Sequence, residues 1–285
     1  MFGEIFVQVM NTISFSMILI LGAIGLSIIF GLMGVINMAH GELFMLGAYV
    51  AVLAQKGSGN LWLGIALAPV IVGVVGLAIE FVVRRFYTRP LVTLPATWGI
   101  SIIIRQLVKM FIGVGNQSLI NPFSGSLGIF GIVYPKYRIL LLVVTGMVLV
   151  FLFFLFQKTS YGLKCRAIMQ NREMSSVSGI NVVRMDQWTF SLGAALAGLA
   201  GAIMAPLITI NPEMGQTFLA QSFIVVILGG IGNLFGIIGG AILVSGTRFF
   251  LSYFVRLTIA QIVVFVVAIM VIRLRPQGLF GTKAP

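Results

Sequence analysis

Residues 13–42 read ISFSMILILGAIGLSIIFGLMGVI-NMAHGE, an uncharged run from Ile13 to Ile36 followed by the polar knot Asn37-Met38-Ala39-His40-Gly41-Glu42. The run is long enough for a helix to cross about 30 Å of hydrocarbon, which takes roughly 20 residues. A second strongly apolar stretch follows the knot. Ionisable groups at membrane depth are costly, so the chain's one histidine and a glutamate two residues later point to a pathway or a binding site. Glycine and asparagine weaken a helix there and free backbone groups to face a cavity.

Working outward, similar apolar runs recur along all 285 residues, of which 59% are hydrophobic and only 8% charged. Mean hydropathy is +1.13. Soluble domains carry about 25% charged residues, so this composition belongs in a bilayer. The expected fold is an all-α polytopic membrane protein in a single domain, 1–285, with about 7–9 transmembrane helices. Expected spans are 12–36, 40–56, 62–83, 91–112, 137–157, 185–207 and 257–273, with 219–252 as an interrupted eighth region. The run 43–54 is short for a crossing, and Arg105 and Lys109 on one face make 91–112 a candidate for partial re-entry. The first span is expected to be retained, being too long for a signal-peptide core.

The formal charge of +12 is resolved by placing the charges. Arg84, Arg85 and Arg89 form one cluster, Lys158, Lys164, Arg166, Arg172 and Arg184 a second, and Arg273, Arg275 and Lys283 a third. Basic clusters at helix ends mark cytoplasmic loops. That puts the N-terminus outside, the C-terminus inside, and no nucleic acid among the partners. Out-facing segments are then 57–61, 113–136, 208–218 and 253–256.

The stretch Gly229-Gly230-Ile231-Gly232-Asn233 interrupts the eighth region, since each glycine costs about 1 kcal/mol relative to alanine in a helix. A half-helix that enters the membrane and turns back is expected. Paired broken segments in two halves of a chain point to an inverted repeat around a midplane site. Gly193, Ala197, Gly201 and Ala205 recur every fourth residue, flanked by Ala194, Gly198 and Ala202, and Gly232, Gly236 and Gly240 repeat the device. Such ladders let helix backbones approach closely.

His40 and Glu42 either line a polar conduit or bond to one another or a neighbouring helix and fix a bend. A metal site needs three or four ligands and the membrane segments offer no more, so no metal is expected. Glu80 and Arg84 read as a helical i,i+4 pair, Asp186 as a helix N-terminal residue and Glu213 as a solvated loop charge. Cys165 stands alone in a basic loop and excludes an intrachain disulfide. No enzymatic or nucleotide-binding motif is present, so neither catalytic residues nor cofactors are expected. Residues 161–181 are amphipathic and helical in character up to Gly179, a natural C-terminal stop.

Within that segment, Glu173-Met-Ser-Ser-Val-Ser-Gly179 resembles the Glu-Ala-Ala-x-x-x-Gly coupling motif of ATP-binding cassette (ABC) importer permeases, with Met174 and Ser175 in place of the alanines. Gly31-Leu-Met-Gly-Val-Ile-Asn-Met-Ala-His-Gly-Glu42 is similar to the N-terminal motif of the LivH and LivM type branched-chain amino acid permease family. Leu228-Gly-Gly-Ile-Gly-Asn-Leu-Phe-Gly236 and Arg275-Pro-Gln-Gly-Leu-Phe280 resemble that family's C-terminal motifs. Ala96-Thr97-Trp98-Gly99-Ile100-Ser101 and Gln170-Asn171-Arg172 look most like its urea branch, UrtB, though Pro95 departs from the pattern.

The resemblance implies a multi-pass subunit of a bacterial inner-membrane importer. Its partners would be a second, homologous permease, cytoplasmic ATP-binding subunits and an external substrate-binding protein. Arg166, Gln170, Asn171, Glu173 and Gly179 would couple to the ATPase. The substrate path would pass Asn37, His40, Glu42 and Asn233, with Thr97 and Trp98 nearby. The scarcity of intramembrane charge leans toward a neutral cargo such as urea or a short-chain amide, with branched-chain or other amino acids as the alternative. A stand-alone channel or secondary transporter would need no coupling segment.

Overall fold

The computed structural model describes residues 2–87, 90–123, 125–129, 132–275 and 278–279; Arg89, Pro276, Gln277, Phe280 and Lys283 lie outside the described residues. The helices are α1 (Phe2–Met33), α2 (His40–Ser58), α3 (Leu61–Val83), α4 (Pro90–Phe111), α5 (Lys136–Lys158), α6 (Ser160–Gln170), α7 (Arg172–Val177), α8 (Val182–Met204), α9 (Met214–Gly229), α10 (Leu234–Ser252) and α11 (Leu257–Leu274). A short antiparallel hairpin, β1 (Ser126–Ile129) with β2 (Ile132–Pro135), lies between α4 and α5. The chain is an all-α polytopic membrane protein. Among the described residues, five helical stretches are long and apolar enough to cross a membrane: Phe6–Met33, Leu61–Phe86, Lys136–Lys158, Val182–Leu207 and Leu234–Ser252.

Helix starts follow from side chains that accept from otherwise orphaned N–H groups. The Asn60 side chain accepts from Trp62 N at 2.9 Å, and that of Asn181 from Arg184 N at 3.0 Å. Pro90 opens α4, where its missing N–H costs nothing. The α4 helix is continuous, so residues 91–112 do not turn back in the membrane. Likewise α2 runs 19 residues, longer than the apolar run 43–54 alone.

The small-residue ladder makes α8 the hub, packed against α1, α2 and α3. A Cβ on Gly193 would lie 2.6 Å from the Gly25 carbonyl, and one on Gly198 would lie 2.6 Å from Val72 Cβ. At Gly47 a Cβ would fall onto the Gly198 backbone, and at Gly201 onto the Phe44 carbonyl. Backbone-to-backbone contact of this kind maximises dispersion where lipid offers no hydrophobic driving force.

The two interruptions have different geometries. The first is a non-helical passage, 34–39, entered through Gly34 at φ 65°, a left-handed conformation suited to glycine. It leads back along α1, because the His40 ring meets the Gly22 carbonyl about three turns before Met33. The second is a tight turn through Gly230 (φ 94°) and Gly232 (φ 77°) that joins the antiparallel α9 and α10. Across it the backbones of Gly229 and Gly236 touch. The Leu279 N–H donates to the Leu228 carbonyl at 2.7 Å, which ties that residue to the end of α9.

Segment 161–181 departs from the expectation of one helix. Asn171 ends α6 and caps α7, accepting from Met174 N at 2.9 Å. Gly179 follows at φ 83°, with its N–H on the Ser176 carbonyl and that of Ile180 on Ser175. That bond pair is a Schellman stop. Asp186 lies in the second turn of α8, not at its cap, and is paired with Arg172. Arg84 lies over the Phe81 ring, 5.2 Å from its centre, and its charge also acts on Glu80.

Candidate functional site

Where the passage 34–39 enters α2, the structure assembles a charge network that the sequence scatters over α2, α4 and the start of α9. Glu42 is buried, and its Oε1 accepts from Ser101 Oγ at 3.0 Å and lies 3.3 Å from an Arg105 terminal nitrogen. The other Arg105 terminal nitrogen donates to Glu213 Oε2 at 3.0 Å, and Lys109 Nζ donates to Glu213 Oε1 at 2.5 Å. Arg105 therefore bridges two carboxylates, and Lys109 balances the second. Turning the Gln216 amide over places its oxygen 2.8 Å from both Arg105 terminal nitrogens. Glycine makes the room: a Cβ on Gly215 would sit 2.7 Å from Glu42 Oε2 and from the Gly41 carbonyl.

Glu213 keeps about half of its side chain in solvent, as a loop charge does, but it is paired rather than free. Lys109, with Arg105 beside it, holds the Glu213 carboxyl below the usual carboxylate range. The network also shows that charge at the knot is not scarce but mutually compensated. Ser101, Arg105, Lys109, Glu213 and Gln216 were not assigned to the site from sequence. The available signal was Arg105 and Lys109 four apart on one helix face inside an apolar run, cations that need acidic partners.

His40 and Glu42 do not bond to one another. His40 Nε2–H donates to the Gly22 carbonyl at 2.9 Å, which leaves Nδ1 as a buried acceptor without a donor. The side-chain oxygen of Asn37 accepts from Ala39 N at 3.0 Å and folds the passage on itself. Thr97 Oγ1 accepts from Met38 N at 3.1 Å, so α4 holds the passage through Thr97 and the start of α2 through Ser101. Trp98 is 55% exposed and faces away from these groups. Asn233 is also elsewhere: it caps α10, accepting from Phe235 N and Gly236 N at 3.1 Å each.

Asn233 lies instead with Arg166 and Gln170. A cavity of about 650 Å³ is walled by Gly31, Arg166, Met169, Gln170, Gly232 and Asn233 among others. The α6–α7 pair forms one side of it. Arg166 donates to the Phe156 carbonyl, and Glu173 is exposed beside Met174 and Val177, at 61% and 82% exposure. Behind this knob, the Arg172–Asp186 ion pair and the 2.8 Å hydrogen bond shared by Tyr161 and Thr189 tie α6 and α7 to α8. Cys165 is on α6 rather than in a loop and is buried, and burial pushes its thiol up.

The family described as branched-chain amino acid transport system / permease component matches residues 8–274. The chain belongs to that family. It is 28% identical to the high-affinity branched-chain amino acid transport system permease protein LivH of Salmonella typhimurium, over 96% of this chain and 94% of that protein. It is also 28% identical to BraD of Pseudomonas aeruginosa, over 96% and 95%. To LivM of Escherichia coli it is 24% identical, over 95% of this chain and 69% of that protein. No solved structure matches the chain. As a member of this family it is a multi-pass membrane transport subunit and not an enzyme.

Proposed function

We propose that this permease carries a branched-chain or other amino acid, working with cytoplasmic ATP-binding subunits, a second permease of LivH or LivM type and an external binding protein. The observation that carries the cargo reading is the compensated network at the knot. An amino acid is a zwitterion, and its passage needs fixed charges of both signs. Glu42, Arg105, Lys109 and Glu213 offer both within a few ångströms, with Ser101 and Gln216 as neutral donors and acceptors. The names of the relatives support the same reading. Urea, a neutral solute, has no need of four charges. Of the residues that carry the likeness to the urea branch, Thr97 is engaged with the Met38 backbone and Trp98 faces outward.

Coupling is assigned to α6 and α7. Glu173, Met174 and Val177 form the exposed knob, Asn171 and Gly179 shape its ends, and Arg166 and Gln170 face the cavity they share with Asn233. Movement of the knob would reach α8 through Arg172–Asp186, and through α8 the glycine contacts on α1, α2 and α3. His40, Asn37 and Glu42 then shape the path by holding the passage against α1 and α4.

The test is uptake by the complete importer in proteoliposomes. ATP-dependent uptake of leucine in excess over urea is expected. Uptake of urea and not leucine would overturn the cargo reading, and leucine uptake by the permease without ATPase would overturn the coupled importer.

A further inference from the structure

A second cavity, of about 490 Å³, opens between α1, α5, α9 and α10. Two guanidiniums, Arg138 and Arg248, line it together with Gln221, and Glu213 forms part of the wall. Neither arginine has a hydrogen bond or ion pair among the described residues. Arg138 rests 5.9 Å from the centre of the Tyr134 ring and Arg248 4.5 Å from that of Phe15. An aromatic face positions a cation without neutralising it.

Two further atoms here lack partners. Arg248 Nε is buried with no acceptor, and Gln221, only 5% exposed, has a buried Oε1 with no donor. Glu213 cannot serve the arginines, because Arg105 and Lys109 already engage it. Uncompensated polar groups inside an apolar bundle are costly. An unpaired guanidinium and an orphan carbonyl in one open cavity are the complement of a ligand with an anionic end and a donor end. Ile18 and Phe218 add an apolar face, and Asn11, Ser14 and Thr217 add neutral polar groups.

We propose that this cavity is an α-amino acid site. The carboxylate lies on the Arg248 fork, which matches its planar geometry. Arg138 adds positive potential, the ammonium donates to Gln221 Oε1, and an aliphatic side chain rests on Ile18 and Phe218. The proposal rests on the amino-acid cargo reading and adds a station on the opposite side of Glu213 from Arg105.

The assembled importer in nanodiscs, without its binding protein and without ATP, is titrated with radiolabelled leucine. Saturable binding is expected in the wild type. Arg248→Gln weakens it by roughly tenfold or more, as for a lost hydrogen bond to a charged group, and Arg248→Lys weakens it less. Gln221→Leu, close in size, gives a similar loss and covers the case in which Arg248→Gln does not assemble. Leucinamide, which lacks the carboxylate, fails to compete.

Competition by leucinamide equal to that of leucine overturns the proposal, as does unchanged binding in assembled Arg248→Gln or Gln221→Leu. Phosphatidylglycerol retained by the wild type and lost from Arg248→Gln, with no leucine binding, makes the cavity a lipid phosphate site and also overturns it. An importer that moves leucine but binds none here sinks this proposal alone. One that moves urea and binds no leucine sinks the cargo reading as well.

Discussion

At the scale of single residues, Arg105 holds the interior charge together. Its side chain is 14% exposed and Glu42's is 2% exposed, so removing the cation leaves a carboxylate buried and uncompensated. Breaking a buried pair in this way costs about 3–5 kcal/mol. Arg105→Ala should therefore lower the thermal stability of the purified complex and abolish uptake, with Arg105→Lys intermediate; wild-type melting in Arg105→Ala would contradict the network. Glu213 is about half exposed, and its pairing contributes less because solvent and salt screen it. Its carboxyl titrates below the ordinary range, so that contribution is complete above the range and is lost as pH falls through the depressed value. Acidification should lower the melting temperature of the wild type more than that of Glu213→Gln, and equal drops would argue against the pairing. Cys165 is buried and its thiol is pushed up, so maleimide should modify it slowly at neutral pH and rapidly after denaturation.

At the scale of elements, the α6–α7 pair and the passage 34–39 are the two parts whose geometry cannot be exchanged for a plain helix. Gly179 holds φ at 83°, whereas proline fixes it near −65°. Gly179→Pro should abolish uptake while the chain still inserts, and Glu173→Lys should do the same by reversing the charge on the exposed knob. Normal ATPase co-purification and normal transport in either variant would remove α7 from the coupling. His40 ties α2 to the Gly22 carbonyl of α1. His40→Ala should impair uptake more than ATPase association, and wild-type uptake would reduce the ring to a bend-fixing group. The urea-like motif shows how an element changes the meaning of a motif: on α4, Thr97 and Trp98 are neighbours in sequence, yet one grips the passage and the other leaves it.

At the scale of the whole molecule, α8 carries the packing, and its glycines are the point at which the bundle tolerates least. Because a Cβ at Gly47 would fall onto the Gly198 backbone, Gly47→Leu must push α2 off α8. Overpacking of this kind costs typically 1–3 kcal/mol or more and should sharply reduce the yield of folded permease; normal yield and uptake would show that the two helices can part.

What the sequence by itself determined is the all-α membrane character, the ladder on α8, the break before His40, the turn at Gly230–Asn233 and the stop at Gly179. Apolar length, small-residue spacing and capping residues are local quantities, so they can be read along the chain. Only the tertiary structure decided the charge network, the place of Asn233 beside Arg166 and Gln170, and the cavity of Arg138, Gln221 and Arg248. Arg105 and Glu213 are 108 positions apart, and Glu42 and Ser101 are 59. No local pattern pairs charges over such distances. In a bilayer their pairing follows from which helices pack together, and close glycine contacts set that packing.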